Sequence, residues 1–145
     1  MATLTADTPR TFEQTGGHPD YNEIPIIADD IVYAGAAVGE STTTGTGRPL
    51  VGGDTFLGFC IEQCDNAGGA AAAKRIKLLE SGVAWLTVTG GDNNNDYDAA
   101  VYASDDNVFT LTSSTGFTQI GKVKRYDSAK GQCLVYFESS SKRSI

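Results

Sequence analysis

Hydrophobic positions come in short bursts separated by turn-forming residues, and none has the length or the 3.6-residue period of a globular helix. The first bursts are Ile24-Pro25-Ile26-Ile27-Ala28, Ile31-Val32-Tyr33-Ala34 and Ala36-Ala37-Val38. Residues 55–62 follow, rich in β formers and introduced by the turn signal Gly52-Gly53-Asp54. Arg75-Ile76-Lys77-Leu78 alternates charged with apolar, Ser81-Gly82 reads as a turn, and residues 83–88 return as a second strand, so this pair is predicted to be a hairpin. Further strands are expected over 101–103, 108–112, 119–126 and 133–137. Within 108–112, Val108, Thr110 and Thr112 fall on one face, and Phe109 and Leu111 on the other. The run Ala70-Ala71-Ala72-Ala73 suits a helix start, a strand edge or a loop.

Short strands at regular spacing predict an all-β fold, a compact sandwich or barrel of mostly antiparallel strands with an extended N-terminal arm. The 17 glycines agree, since glycine suits turns and is costly inside helices. Residues 1–23 offer Leu4, Phe12 and Tyr21 as their only large apolar side chains besides Met1, too few for a core, and read as an extended arm, disordered alone or ordered against a partner. Residues 24–138 form the β domain and 139–145 a polar tail.

Charge narrows the partners. Eleven basic against eighteen acidic residues leave a net charge of −7, which repels phosphate backbones and anionic lipid, so nucleic acid and membrane are not expected as partners. The clusters Lys74-Arg75-x-Lys77 and Lys122-x-Lys124-Arg125 read as solvated strand faces or local contacts for an acidic protein surface. The N-terminus lacks the pattern of a signal peptide, and no apolar stretch reaches the ~20 residues that cross a bilayer, so a soluble chain is expected. Cys60, Cys64 and Cys133 are expected to be free thiols.

Candidate chemistry fails at specific positions. Gly116 to Lys122 has the spacing of a phosphate-binding loop, but Val123 stands where magnesium needs a hydroxyl, and a strand continues where a helix should open. The run Asp92 to Asp98 alternates oxygen ligands, but Tyr97 and Ala103 occupy the glycine and glutamate positions of an EF-hand, which leaves only a looser calcium site. Cys60 and Cys64 lack two convincing further ligands for zinc, with only Cys133 and His18 available. Asp105-Asp106-Asn107 is explained as a hairpin connection. No catalytic, cofactor-binding or metal-binding residues are assigned; the expectation is a protein that is not an enzyme and takes no small-molecule substrate.

The segments Gly35-Ala36-Ala37-Val38-Gly39 and Asp54-Thr55-Phe56-Leu57-Gly58-Phe59, and most strongly residues 100–112 followed by Ile120-Gly121-Lys122-Val123, resemble the capsid decoration or cement proteins of tailed bacteriophages. The resemblance runs from about residue 24 to 137. It implies a homotrimer on the outer surface of the virion capsid, stabilising contacts between major capsid protein subunits. The arm 1–23 and the loop 92–98 depart from the family pattern. The arm supplies the expected capsid-binding residues Pro9, Arg10, Phe12, His18 and Tyr21. The alternative reading is a receptor- or glycan-binding β module using Trp85 or Tyr97.

Overall fold

The computed structural model describes residues 3–13, 20–41, 45–91 and 97–141. Among these, all extended regular structure is strand, arranged as two packed sheets and a small ribbon, which bears out the all-β expectation in its sandwich form. The larger sheet has the spatial order β1 (Phe12–Glu13), β9 (Ser81–Leu86), β14 (Gln132–Glu138), β13 (Thr118–Asp127), β11 (Ala100–Ala103), β12 (Phe109–Thr110), β10 (Val88–Thr89). The smaller has the order β2 (Tyr21–Pro25), β8 (Arg75–Leu79), β6 (Thr55–Cys60), β4 (Ala37–Glu40), β5 (Gly47–Pro49). The ribbon pairs β3 (Ile31–Val32) with β7 (Cys64–Asp65). Every ladder is antiparallel except β10 with β12. A single bridge from Ile26 to Gly47 brings the two ends of the smaller sheet together without closing it into a barrel.

Phenylalanines join the sheets. Phe56 and Phe59 come from β6 in the smaller sheet; Phe12, Phe109 and Phe137 come from the larger. The Phe59 ring lies 4.8 Å from Phe137 and 5.7 Å from Phe56, with interplanar angles of 79° and 75°. These edge-to-face contacts place positive ring edges on negative faces, which adds to the gain from burial. Leu86, Val101, Ile120 and Val135 complete this core. A second buried cluster on the smaller sheet gathers Ile26, Val32, Val38, Ile76, Leu78 and, from far along the chain, Leu4.

The hairpin expected over 75–88 does not form. β8 pairs with β2 and β6, whereas β9 pairs with β1 and β14, so consecutive strands lie in different sheets. Only Glu80 separates them, fewer residues than a tight hairpin turn needs. Its N–H donates to the Asp20 carbonyl and its carbonyl accepts from Ser139 N–H, so this residue is the corner where the chain changes sheets. Gly82, at φ 154°, takes the backbone conformation that follows. The connection over Asp105-Asp106-Asn107 does join an antiparallel pair, with Tyr102 opposite Thr110 and Ala103 opposite Phe109. The alternation expected over 108–112 breaks down: Phe109 and Thr110 are both buried, and the strand is only these two residues, held between β11 and β10. Residues 70–73 form turns, with Ala72 at φ 64°.

The outer edge of β2 is short of free donors. Ile26 N–H and the Asp20 carbonyl bond across to the β8 side, so residues 21, 23 and 25 face outward. The outward N–H of Glu23 is taken by Asn22 Oδ1 at 2.8 Å, and Pro25 has none to offer.

Replacing Phe59, which touches four other rings, tests the inter-sheet core. Phe59→Ala is expected to cost about 3–5 kcal/mol in urea denaturation, against under about 0.5 kcal/mol for an exposed substitution such as Tyr97→Ser.

Candidate functional site

Residues 3–13 lie as a strap along the protein's own body. Leu4 is buried in the second cluster, and Phe12 packs against Phe59 and Phe137 at 6.1 and 5.9 Å. Between these anchors the strap is held by polar bonds to the turn 33–35. Thr8 N–H donates to the Ala34 carbonyl at 2.8 Å, Ala34 N–H donates to Asp7 Oδ1 at 3.0 Å, and Arg10 Nε donates to the Gly35 carbonyl at 2.8 Å. Gly35 sits at φ 89°, and a Cβ there would overlap the Thr8 carbonyl oxygen, so the strap's approach requires glycine.

The turn after β11 holds the start of the strap. Thr3 N–H donates to Asp106 Oδ1 at 2.7 Å and its hydroxyl donates to Asp105 Oδ2. Arg10 Nη2 donates to Asn107 Oδ1 at 2.6 Å, and its guanidinium carbon lies 5.6 Å from the Phe109 ring centre. Asp105 Oδ1 meanwhile accepts from the N–H groups of Asn107 and Val108, shaping the turn. Asp106 is fully buried, and its Oδ2 has no partner among the described residues. Burial pushes the Asp106 carboxyl above its ordinary range, opposed by the N–H bond from Thr3 and reinforced by the neighbouring Asp105 charge. Burial likewise lowers the Arg10 guanidinium, against the opposing pull of Asp106.

Beside the strap lies a groove of about 450 Å³, bordered by Thr8 and Arg10 of the strap, by Thr87, Thr89 and Gln132, and by Asn107, Val108 and Phe109. Its origin is a local failure of pairing. The strap is antiparallel to β9, with Glu13 opposite Val83 and Phe12 opposite Ala84, and the ladder ends where Trp85 N–H donates to the Thr11 carbonyl. The same register would set Pro9 opposite Thr87. Proline has no N–H to give, and the strap turns away toward Gly35. Thr87 is exposed, and past it β12 takes over as the neighbour of this edge, with Leu111 N–H donating to the Thr89 carbonyl.

Of the expected capsid-binding residues, the structure brings Arg10 to this groove, while Pro9 lies next to it in the strap but does not line it. The Phe12 ring is turned into the inter-sheet core. Tyr21, 63% exposed, stands on the outer edge of β2 in the other sheet. His18 lies outside the described residues, as do positions 92–96 of the candidate calcium loop. Thr87, Thr89 and Gln132 had no motif to mark them; the available signal was Pro9, a residue unable to complete a ladder.

The other sequence candidates have structural surroundings. Gly121 and Lys122 lie inside β13, so no helix opens after them. All three cysteines are free and buried, with burial pushing the Cys60 thiol up to about 12. No cluster of three ligating side chains suited to a metal occurs among the described residues. Trp85 is only 5% exposed: Glu13 accepts its indole N–H at 2.8 Å, and Arg125 and Lys130 lie over the ring at 5.1 and 4.9 Å. Neither cation has a carboxylate within ion-pair distance among the described residues. In the other basic cluster, Lys77 pairs with Glu62 at 3.0 Å. No described helix is long and apolar enough to cross a membrane.

No protein-family model matches the chain, and no curated protein matches it.

The raised Asp106 carboxyl fixes a pH dependence. A carboxyl whose folded value is raised binds its proton more tightly in the folded protein. Its stabilising contribution is therefore full below its ordinary value and is lost as pH rises through the raised one. Asp106→Asn cannot titrate, so the parent's stability relative to this variant is expected to be greater at pH 4 than at pH 7. Urea denaturation of both proteins at the two values checks it; a difference independent of pH would contradict the assignment.

Proposed function

We propose that this protein is a non-enzymatic binding protein of a tailed-phage head, attached to the outer surface of the capsid and stabilising contacts between major capsid protein subunits. The observation that carries the reading is the position of residues 100–112, the stretch that most resembles the decoration family. They form β11, the following turn and β12, and through Asp105, Asp106 and Asn107 they fix the N-terminal strap on the body. A protein of this kind acts by adding binding energy to the assembled shell alone, which stabilises it by mass action without chemistry. The strap and the exposed Tyr21 are the attachment candidates, and a homotrimer at each attachment point belongs to the same proposal. The receptor- or glycan-binding alternative has less support, because Trp85 offers no free ring face for a sugar, which leaves Tyr97, 64% exposed, as the one of its two named residues open to contact.

The purified chain is expected to bind undecorated phage heads saturably and to raise their resistance to heat. Tyr21→Ala should leave folding stability within about 0.5 kcal/mol and lower head occupancy several-fold. Absence of saturable binding by the parent protein removes the capsid reading, and a monomer both in solution and on heads removes the trimer. Binding to a glycan array that Tyr97→Ala abolishes would replace the reading with the alternative.

A further inference from the structure

The groove beside the strap is a polar concavity that holds one cation. Three threonine hydroxyls and the Asn107 and Gln132 amides line it, Val108, 39% exposed, adds an apolar face, and Arg10 is its only charged side chain. Its volume of about 450 Å³ falls within the ~300–1,000 Å³ of small-ligand sites. The strand edge alongside is already taken by β12, so whatever enters the groove is held by side chains.

Arg10 reaches the groove with part of its fork unspent. A guanidinium carries five N–H groups in one plane. Nε is used on the Gly35 carbonyl and one proton of Nη2 on Asn107 Oδ1, which leaves Nη1 and the second proton of Nη2 without a partner among the described residues. Those two bonds, with the Phe109 ring centre 5.6 Å away, hold the remaining donors in a fixed orientation. No carboxylate lies within ion-pair distance of Arg10 among the described residues. Asp106 acts on it only through space, with its own Oδ1 engaged by Thr3, while burial withdraws water from the cation. A half-buried, unpaired guanidinium of this kind is matched by an incoming carboxylate, which accepts from two N–H groups at once.

The rest of the lining narrows the ligand. The Thr89 hydroxyl and Asn107 Nδ2 have no hydrogen-bond partner among the described residues, and hydroxyls and amides can both donate and accept. That is more polar capacity than a bare carboxylate uses, and it suits a ligand that also carries hydroxyls. The chain's net charge of −7 does not forbid an anion here, because exposed charges are screened beyond about 8 Å at physiological salt and Arg10 sets the sign within the groove.

We infer that the groove between Arg10 and Thr89 is a binding site for a small hydroxylated carboxylate, of the class of the sugar acids. Arg10 takes the carboxylate, the threonine and amide groups take the hydroxyls, and Val108 meets the apolar face of the ligand. This inference does not depend on the capsid reading, and its test contains no capsid.

The probe is glucuronate, compared with glucose, which lacks the carboxylate, and with acetate, which lacks the hydroxyls. Titrated at pH 7.5 into the ¹⁵N-labelled full chain, glucuronate is expected to shift the Thr87, Thr89 and Asn107 amides and the Arg10 Nε signal saturably, with glucose and acetate binding at least about ten-fold more weakly. Thr89→Val keeps the side-chain shape and removes one hydroxyl, and it should weaken glucuronate about three- to ten-fold with Trp85 fluorescence unchanged. Asp106→Asn can still accept from Thr3 N–H but no longer offsets the Arg10 charge, and it should tighten glucuronate at least about two-fold. Absence of saturable shifts with glucuronate, equal binding of acetate or of glucose, or unchanged affinity in both variants would overturn the inference.

Discussion

The packing of Phe59 against rings from both sheets is the contact on which the rest of this structure depends. Two sheets that each bury one face need side chains large enough to fill the space between them, and β6 supplies Phe56 and Phe59 from one side while Phe109 and Phe137 meet them from the other. The strap enters the same cluster through Phe12, so the N-terminus shares the sandwich's own core. The single-residue corner at Glu80 follows from this arrangement, because β8 must end in one sheet and β9 begin in the other to keep the two faces opposed.

Around that apolar centre, the strap's position is fixed by polar groups at some cost. Asp106 is buried with one carboxylate oxygen unpartnered among the described residues, a placement that disfavours its charged form. The compensation is positional: the turn that carries it holds Thr3 at one end of the strap and Arg10 near the other. Pro9 lies between them and ends the ladder with β9, so the strap is held tightly at its ends and stands away from the sheet beside Thr87. The candidate site is thus a by-product of how an extended segment was fastened down.

What could be read from the sequence follows the range of the interactions. The strands β13 and β14 and the pairing of β11 with β12 were legible because their partners are neighbours in sequence and their apolar spacing is regular. The hairpin over 75–88 was misread because Arg75-Ile76-Lys77-Leu78 and Val83-Ala84-Trp85-Leu86 have equally good strand patterns whether they pair with each other or with distant chain; only the sheets decide. The strap's placement was beyond local reasoning for the same reason: Leu4 and Phe12 look like too little apolar surface until the clusters that receive them exist. In Asp105-Asp106-Asn107 the turn was legible, but its second role, anchoring Thr3 and Arg10 from about a hundred residues away, was not.

The donor-poor edge of β2 has a consequence for how this chain survives its own folding. A sandwich stitched from segments as distant as residues 12 and 84 must close long loops before its core forms, and such topologies fold slowly, with strands exposed to other copies in the meantime. An unguarded β2 would offer those copies a template during that interval. The Asn22 side chain on Glu23 N–H and the missing donor at Pro25 are local features of the chain, available as soon as β2 meets β8. They bias crowded, half-folded chains toward completing the sandwich instead of growing into fibres, a safeguard that would count most in a cell making many copies at once.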